Sequence, residues 1–128
     1  MIVLIKEYTV VAGVGAVIYS LVEIIYRGHT HWTMTVTGGA VFLMLYILNT
    51  RVEIQSLALR CLIGCVAITL IELAVGCIVN RKLGWNVWDY SGMRFNLLGQ
   101  ICPAFSLAWY ALCFPAYWLS MFLQSRLS

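Results

Sequence analysis

The chain has 128 residues, 62% of them hydrophobic and only 10% charged, with a formal net charge of +3. A soluble domain needs a polar shell that this composition does not supply, so the bilayer is the expected solvent. The charge gives no sign of a nucleic-acid partner, because no basic cluster exceeds Arg81-Lys82.

A spanning helix takes about 20 mostly apolar residues. The first such run is Ile5–Tyr26. Lys6-Glu7 interrupt its start, and no charged region precedes it, so a cleaved signal is not expected. "AGVGAV" at 12–17 reads as a small-residue face for helix packing rather than a phosphate loop. Near the end of the run stands Glu23, with Arg27 at i+4 on the same face, a spacing that pairs opposite charges.

"RGHTHWT" then forms a loop in which His29 and His31 are two apart, a weak metal spacing better explained by interfacial hydrogen bonding. The second span is Thr33–Leu48, short unless Thr33, Thr35 and Thr37 sit within the interface. Asn49-Thr50-Arg51-Val52-Glu53 makes the polar turn before the third span, Leu57–Val79. From Cys61 to Val79 the only acidic side chain is Glu72, inside "TLIELAVG". An ionisable residue there costs roughly 2.5–3.5 kcal/mol on insertion scales and marks a functional position by default. The fourth span is Leu97–Leu123, in which Pro103 and Pro115 should bend the helix or mark a break. All 5 cysteines fall in apolar runs without a metal-ligand pattern, as small packing residues do. No metal and no other cofactor is expected.

The fold expected is an all-α membrane protein, 1–128 forming one transmembrane domain. Residues 15–24, "GAVIYSLVEI", match 64–73, "GCVAITLIEL", in the positions of a glycine, a hydroxyl and a glutamate. Each unit runs on into a polar, tryptophan-bearing loop and a further helix. The four helices are thus expected as two tandem hairpins, about 5–48 and 57–123, related as a parallel repeat that brings Glu23 and Glu72 to one depth. Tyrosines and tryptophans near the helix ends suit an aromatic belt. The 8 Lys and Arg residues divide equally between the two sides. Orientation, including dual topology, is therefore left open, with cytoplasmic termini as the default.

Between the third and fourth spans lies "LGWNVWDYSGMRFNLLGQICPAF", residues 83–105. It sets Trp85, Trp88 and Tyr90 beside Asp89. Asn96 and Gln100 follow, four apart, where the last helix should begin. Trp85, Trp88 and Tyr90 are expected at the interface. Glu72 needs donors, because Gly76 occupies its i+4 position. The nearest polar face is Asn96/Gln100 on the fourth helix, helped by Arg81 or Arg94.

Glu72, Asn80-Arg81, Trp88-Asp89-Tyr90-Ser91, Phe95-Asn96 and Gly99-Gln100-Ile101-Cys102 together resemble the signature of the small membrane proteins called putative ABC-transporter type IV. The resemblance is strongest over 64–110. It implies an all-helical integral protein of a multi-pass kind, found mostly in bacteria, hence in the cytoplasmic membrane, and does not name a substrate.

The sequence holds no nucleotide-binding loop, so any ATP motor must lie on another chain. The function expected is a transport component with a polar cavity lined by Glu72, Asn96, Gln100 and Asp89, completed by Glu23, Arg27 and Arg81. A homodimer or another membrane protein is its expected partner, beside lipid. The alternative is a non-transporting module that docks on a protein or lipid through the aromatic loop. An intramembrane enzyme built on His29, His31, Glu23 and Asp89 is the least supported reading, and no hydrolase motif stands out.

Overall fold

The computed structural model describes residues 2–28 and 30–127, excepting the Arg27 side chain. Among them the protein is helical: α1 (Ile2–Arg27), α2 (Trp32–Arg51), α3 (Leu57–Gly76), a π-helical turn (Cys77–Lys82) that continues α3, and α4 (Pro103–Leu127). Four helices are long and apolar enough to cross a membrane, the third counted with its π turn as Leu57–Lys82. The chain is an all-α membrane protein. Ile25 and Leu107, 84% and 71% exposed, illustrate the apolar surface of such helices, suited to a lipid surrounding.

The ends of these helices follow from local chemistry. Gly28 leaves α1 with φ +82 and donates its N–H to Ile24 O at 2.8 Å, a left-handed stop that glycine makes without strain. His31 caps α2, its Nδ1 accepting from Thr33 N–H at 3.2 Å. The same Nδ1 lies 2.7 Å from Thr33 Oγ1, and among the described residues no group of three or more His, Cys, Asp or Glu is placed to hold a metal ion. His29 lies outside the described residues. Ser56 caps α3 through Leu59 N–H, at 3.2 Å.

The fourth span corrects the sequence reading. Residues 97–102 are not helical, and α4 begins at Pro103. Proline is favoured in a first helical turn, where its missing N–H would be unpaired anyway. Pro103 therefore starts the helix instead of bending it, and only Pro115 stands inside. At the third span the chain stays helical past Val79 to Lys82, and α2 absorbs Asn49-Thr50-Arg51.

Two compact units are present: Met1–Glu53 with Ala116–Ser128, and Ile54–Pro115. In the first, α1 and α2 form an antiparallel hairpin through small residues. A Cβ on Gly38 would lie 2.5 Å from Tyr19 Cβ, and one on Gly39 would lie 2.8 Å from Ala12 O. Close backbone approach of this kind is how helices associate in lipid, where water supplies no drive. Ser20 and Thr35 share a 2.7 Å hydroxyl bond across the seam. Val11, Phe42 and Tyr46 form the core, and Ala116, Leu119, Leu123 and Leu127, spaced as one helix face, pack on it.

Candidate functional site

The second unit is built on the last turns of α3. Its π turn places N–H donors five residues beyond their acceptors, as Leu83 N–H to Ile78 O at 2.9 Å shows. Such turns frequently mark functional positions. Within it, Asn80 becomes the hub of the following loop. Its Nδ2 donates to Gln100 Oε1 at 2.8 Å, and its Oδ1 accepts from Val87 N–H at 2.6 Å and Trp88 N–H at 3.4 Å. Gln100 Nε2 donates to Leu98 O at 2.9 Å, and the Trp88 indole donates to Gln100 O at 3.0 Å. Both Trp88 and Gln100 are buried. The loop thus folds back onto α3, and Gly76 makes the approach possible: a Cβ there would meet Gln100 Oε1 at 2.5 Å and Trp88 Cζ2 at 2.9 Å.

One turn deeper lies Glu72, 8% exposed. Its Oε2 accepts from the Trp109 indole N–H of α4 at 3.1 Å. No basic side chain pairs with it among the described residues. The expected donors are therefore corrected. Asn96 and Gln100 do not form a face of α4, because both precede it and are consumed by the loop. Asn96 Nδ2 donates to Ser91 O and Met93 O at 3.2 and 2.8 Å, and its Oδ1 accepts from Gly99 N–H at 3.0 Å. Arg81 reaches Leu98 O at 3.4 Å rather than Glu72.

The remaining loop residues divide by exposure. Asp89 is exposed, and Oδ1 accepts from Ser91 N–H at 2.9 Å. That backbone bond, then the Ser91 hydroxyl, holds its carboxyl below the usual carboxylate range. Tyr90 stacks on Phe105 with centroids 4.6 Å apart. Trp85 is half-exposed, whereas Trp88, expected at the same interface, is buried under the loop. Deeper still along α3, Thr69 and Ser106 share a 3.1 Å hydroxyl bond, and Cys65 Sγ–H donates to Ser106 O at 3.0 Å. Beyond them an open groove of about 540 Å³ is lined chiefly by Leu59, Leu62, Leu107 and Tyr110; it is apolar and does not include Glu72, Asn96 or Gln100.

A sequence profile described as "Putative ABC-transporter type IV" matches residues 3–127, well beyond the 64–110 stretch where the signature is densest. The chain belongs to that family. No curated protein and no solved structure matches it. In this family member the signature residues Asn80, Trp88, Asp89, Asn96 and Gln100 are the residues that tie the loop to α3 or shape its turns.

The first unit holds its own buried acids. Glu23 is 6% exposed, and Thr30 Oγ1 donates to its Oε1 at 3.4 Å. Its expected pairing with the Arg27 side chain lies outside the described residues. Sequence reasoning missed Glu7. It is 3% exposed, accepts from Tyr46 Oη at 2.5 Å, and forms an ion pair with Arg51 Nη2 at 3.1 Å. A signal existed: in a hairpin of two spans, an acid near the start of the first helix and a base at the end of the second share one side. Among the described residues no buried side-chain nitrogen or oxygen lacks a partner.

Proposed function

We propose that the protein is the membrane component of a transport process, with Glu72 as the group that receives a positively charged species. The observation that carries this is a buried carboxylate on a spanning helix whose bond partner is the neutral Trp109 indole rather than a cation. An uncompensated carboxylate in a low-dielectric interior costs several kcal/mol, which a bound cation or a proton offsets. Gln100 and Asn80 support the site by closing the loop over the α3 end one turn away. Family membership supports a transport role.

The test is modification of Glu72 by a hydrophobic carbodiimide in proteoliposomes, read by mass spectrometry and followed in sodium, potassium, magnesium and proton series. A metal cation that binds should slow labelling, whereas a proton should speed it because the carbodiimide adds to the protonated carboxyl. Glu72→Gln should abolish both labelling and flux of that ion while the protein still elutes as the parent does. Labelling equally fast in every ion, with flux of the Gln variant equal to the parent's, rejects the proposal.

A second reading has its own observation. Phe95 is 85% exposed on the loop, as expected of a module that docks without transporting. Under it, Glu72→Gln is silent and changes in the loop are not.

A further inference from the structure

The loop that closes on α3 turns its apolar residues outward. Phe95 is 85% exposed, Leu98 50% and Trp85 47%. Phe95 and Leu98 both adopt φ +57, a left-handed conformation unfavourable for any residue with a side chain. A loop shaped by its own packing would place glycine there or turn such side chains inward. Here the hydrogen bonds of Asn96 and Gln100 hold the backbone in that form.

Basic groups stand beside these side chains. Arg81, Lys82 and Arg94 are all exposed, and Arg81 Nη1 donates to Leu98 O, which sets a guanidinium next to the apolar tip. The only acid in the segment is Asp89, already engaged by Ser91 N–H. Depth follows from the attachment. Trp88 and Gln100 pack on Gly76, where α3 passes into the π turn that ends at Lys82. Since Lys82 ends one spanning helix and Pro103 begins the next, the segment lies at the membrane boundary.

We infer that the segment 81–98 is a binding surface for anionic phospholipid, in which Arg81, Lys82 and Arg94 hold the headgroup phosphate while Phe95, Leu98 and Trp85 enter the acyl boundary. Exposed apolar residues beside cations are what an anionic interface complements. This surface is independent of Glu72 and of the transport proposal.

The experiment uses the full chain in a neutral detergent, titrated with phosphatidylglycerol or phosphatidylcholine and read by native mass spectrometry. Phosphatidylglycerol should be retained in preference, and each cation removed should weaken that preference about five-fold. Two variants are compared: Arg81→Gln/Lys82→Gln/Arg94→Gln, and Lys82→Gln/Arg94→Gln, which leaves the Arg81 contact to Leu98 in place. In parallel, brominated lipids quench the parent and Trp85→Phe, and the difference reports Trp85. That component should be quenched most by bromines near the headgroups, and less in Phe95→Gly, whose backbone is relaxed but whose wedge is gone.

Equal retention of the two lipids by the parent overturns the inference. So does unchanged preference in the double variant, or displacement of the lipid by millimolar inorganic phosphate, which would mark a free-ion site instead. A Trp85 component that no bromine quenches overturns the apolar half.

Discussion

Replacing Gly76 by alanine sets two effects against each other. In a helix, alanine is favoured over glycine by about 1 kcal/mol. At this position the new methyl would lie 2.5 Å from Gln100 Oε1, 2.9 Å from Trp88 Cζ2 and 3.0 Å from Gln100 Cβ. The Gln100 amide can swing aside, but only by giving up the 2.8 Å bond from Asn80, which contributes about 1 kcal/mol. The Trp88 ring has no such freedom, because its N–H is held by Gln100 O. Overpacking of this kind typically costs about 1–3 kcal/mol.

The penalties exceed the helix gain, so Gly76→Ala should destabilise the protein by about 1–3 kcal/mol. Gly13, with nothing within 4 Å of its added Cβ, is the matched control. Gly13→Ala should be neutral or stabilising by up to about 1 kcal/mol. Thermal unfolding of both variants in one detergent measures the difference, and tryptophan fluorescence reports whether Trp88 has left its buried site. If Gly76→Ala unfolds with the parent and its emission is unchanged, the loop does not close on α3 as described.

Three further outcomes follow from the geometry. Gly38→Ala should loosen the α1–α2 hairpin by at least about 1–3 kcal/mol, because the obstacles are Tyr19 Cβ, Cδ2 and Cγ at 2.5–2.7 Å, with no flexible tip to move; a melting temperature equal to the parent's contradicts it. Tyr46→Phe removes a hydrogen bond to the buried Glu7 carboxylate, worth about 1.5–3 kcal/mol, and should lower the unfolding midpoint, whereas an unchanged midpoint means Arg51 alone satisfies Glu7. Asp89, held below its ordinary range, stabilises the loop at pH above the unfolded value of about 4 and loses that contribution as pH falls through the lower folded value. Asp89→Asn should therefore differ from the parent in loop hydrogen exchange at neutral pH and converge with it in acid; a gap that widens in acid reverses the sign.

What the sequence determined was set by the bilayer. A spanning segment must be long, apolar and internally hydrogen-bonded, so hydropathy alone located the four helices and excluded a soluble domain. The family signature was legible as well, but not what its residues do. Asn96 and Gln100 have helical spacing, yet both bond to loop backbone, and the α4 start is deferred to Pro103.

Only the tertiary structure decided which polar groups meet. Glu72 takes its donor from Trp109, 37 residues away, because a helical period shows which residues share a face but not what faces them. Glu7 reads in sequence as an interruption of an apolar run, and its burial depends on Tyr46 and Arg51 arriving from the other arm of the hairpin. Burial is a property of the partner surface, so a polar residue's own neighbours in the chain do not fix it.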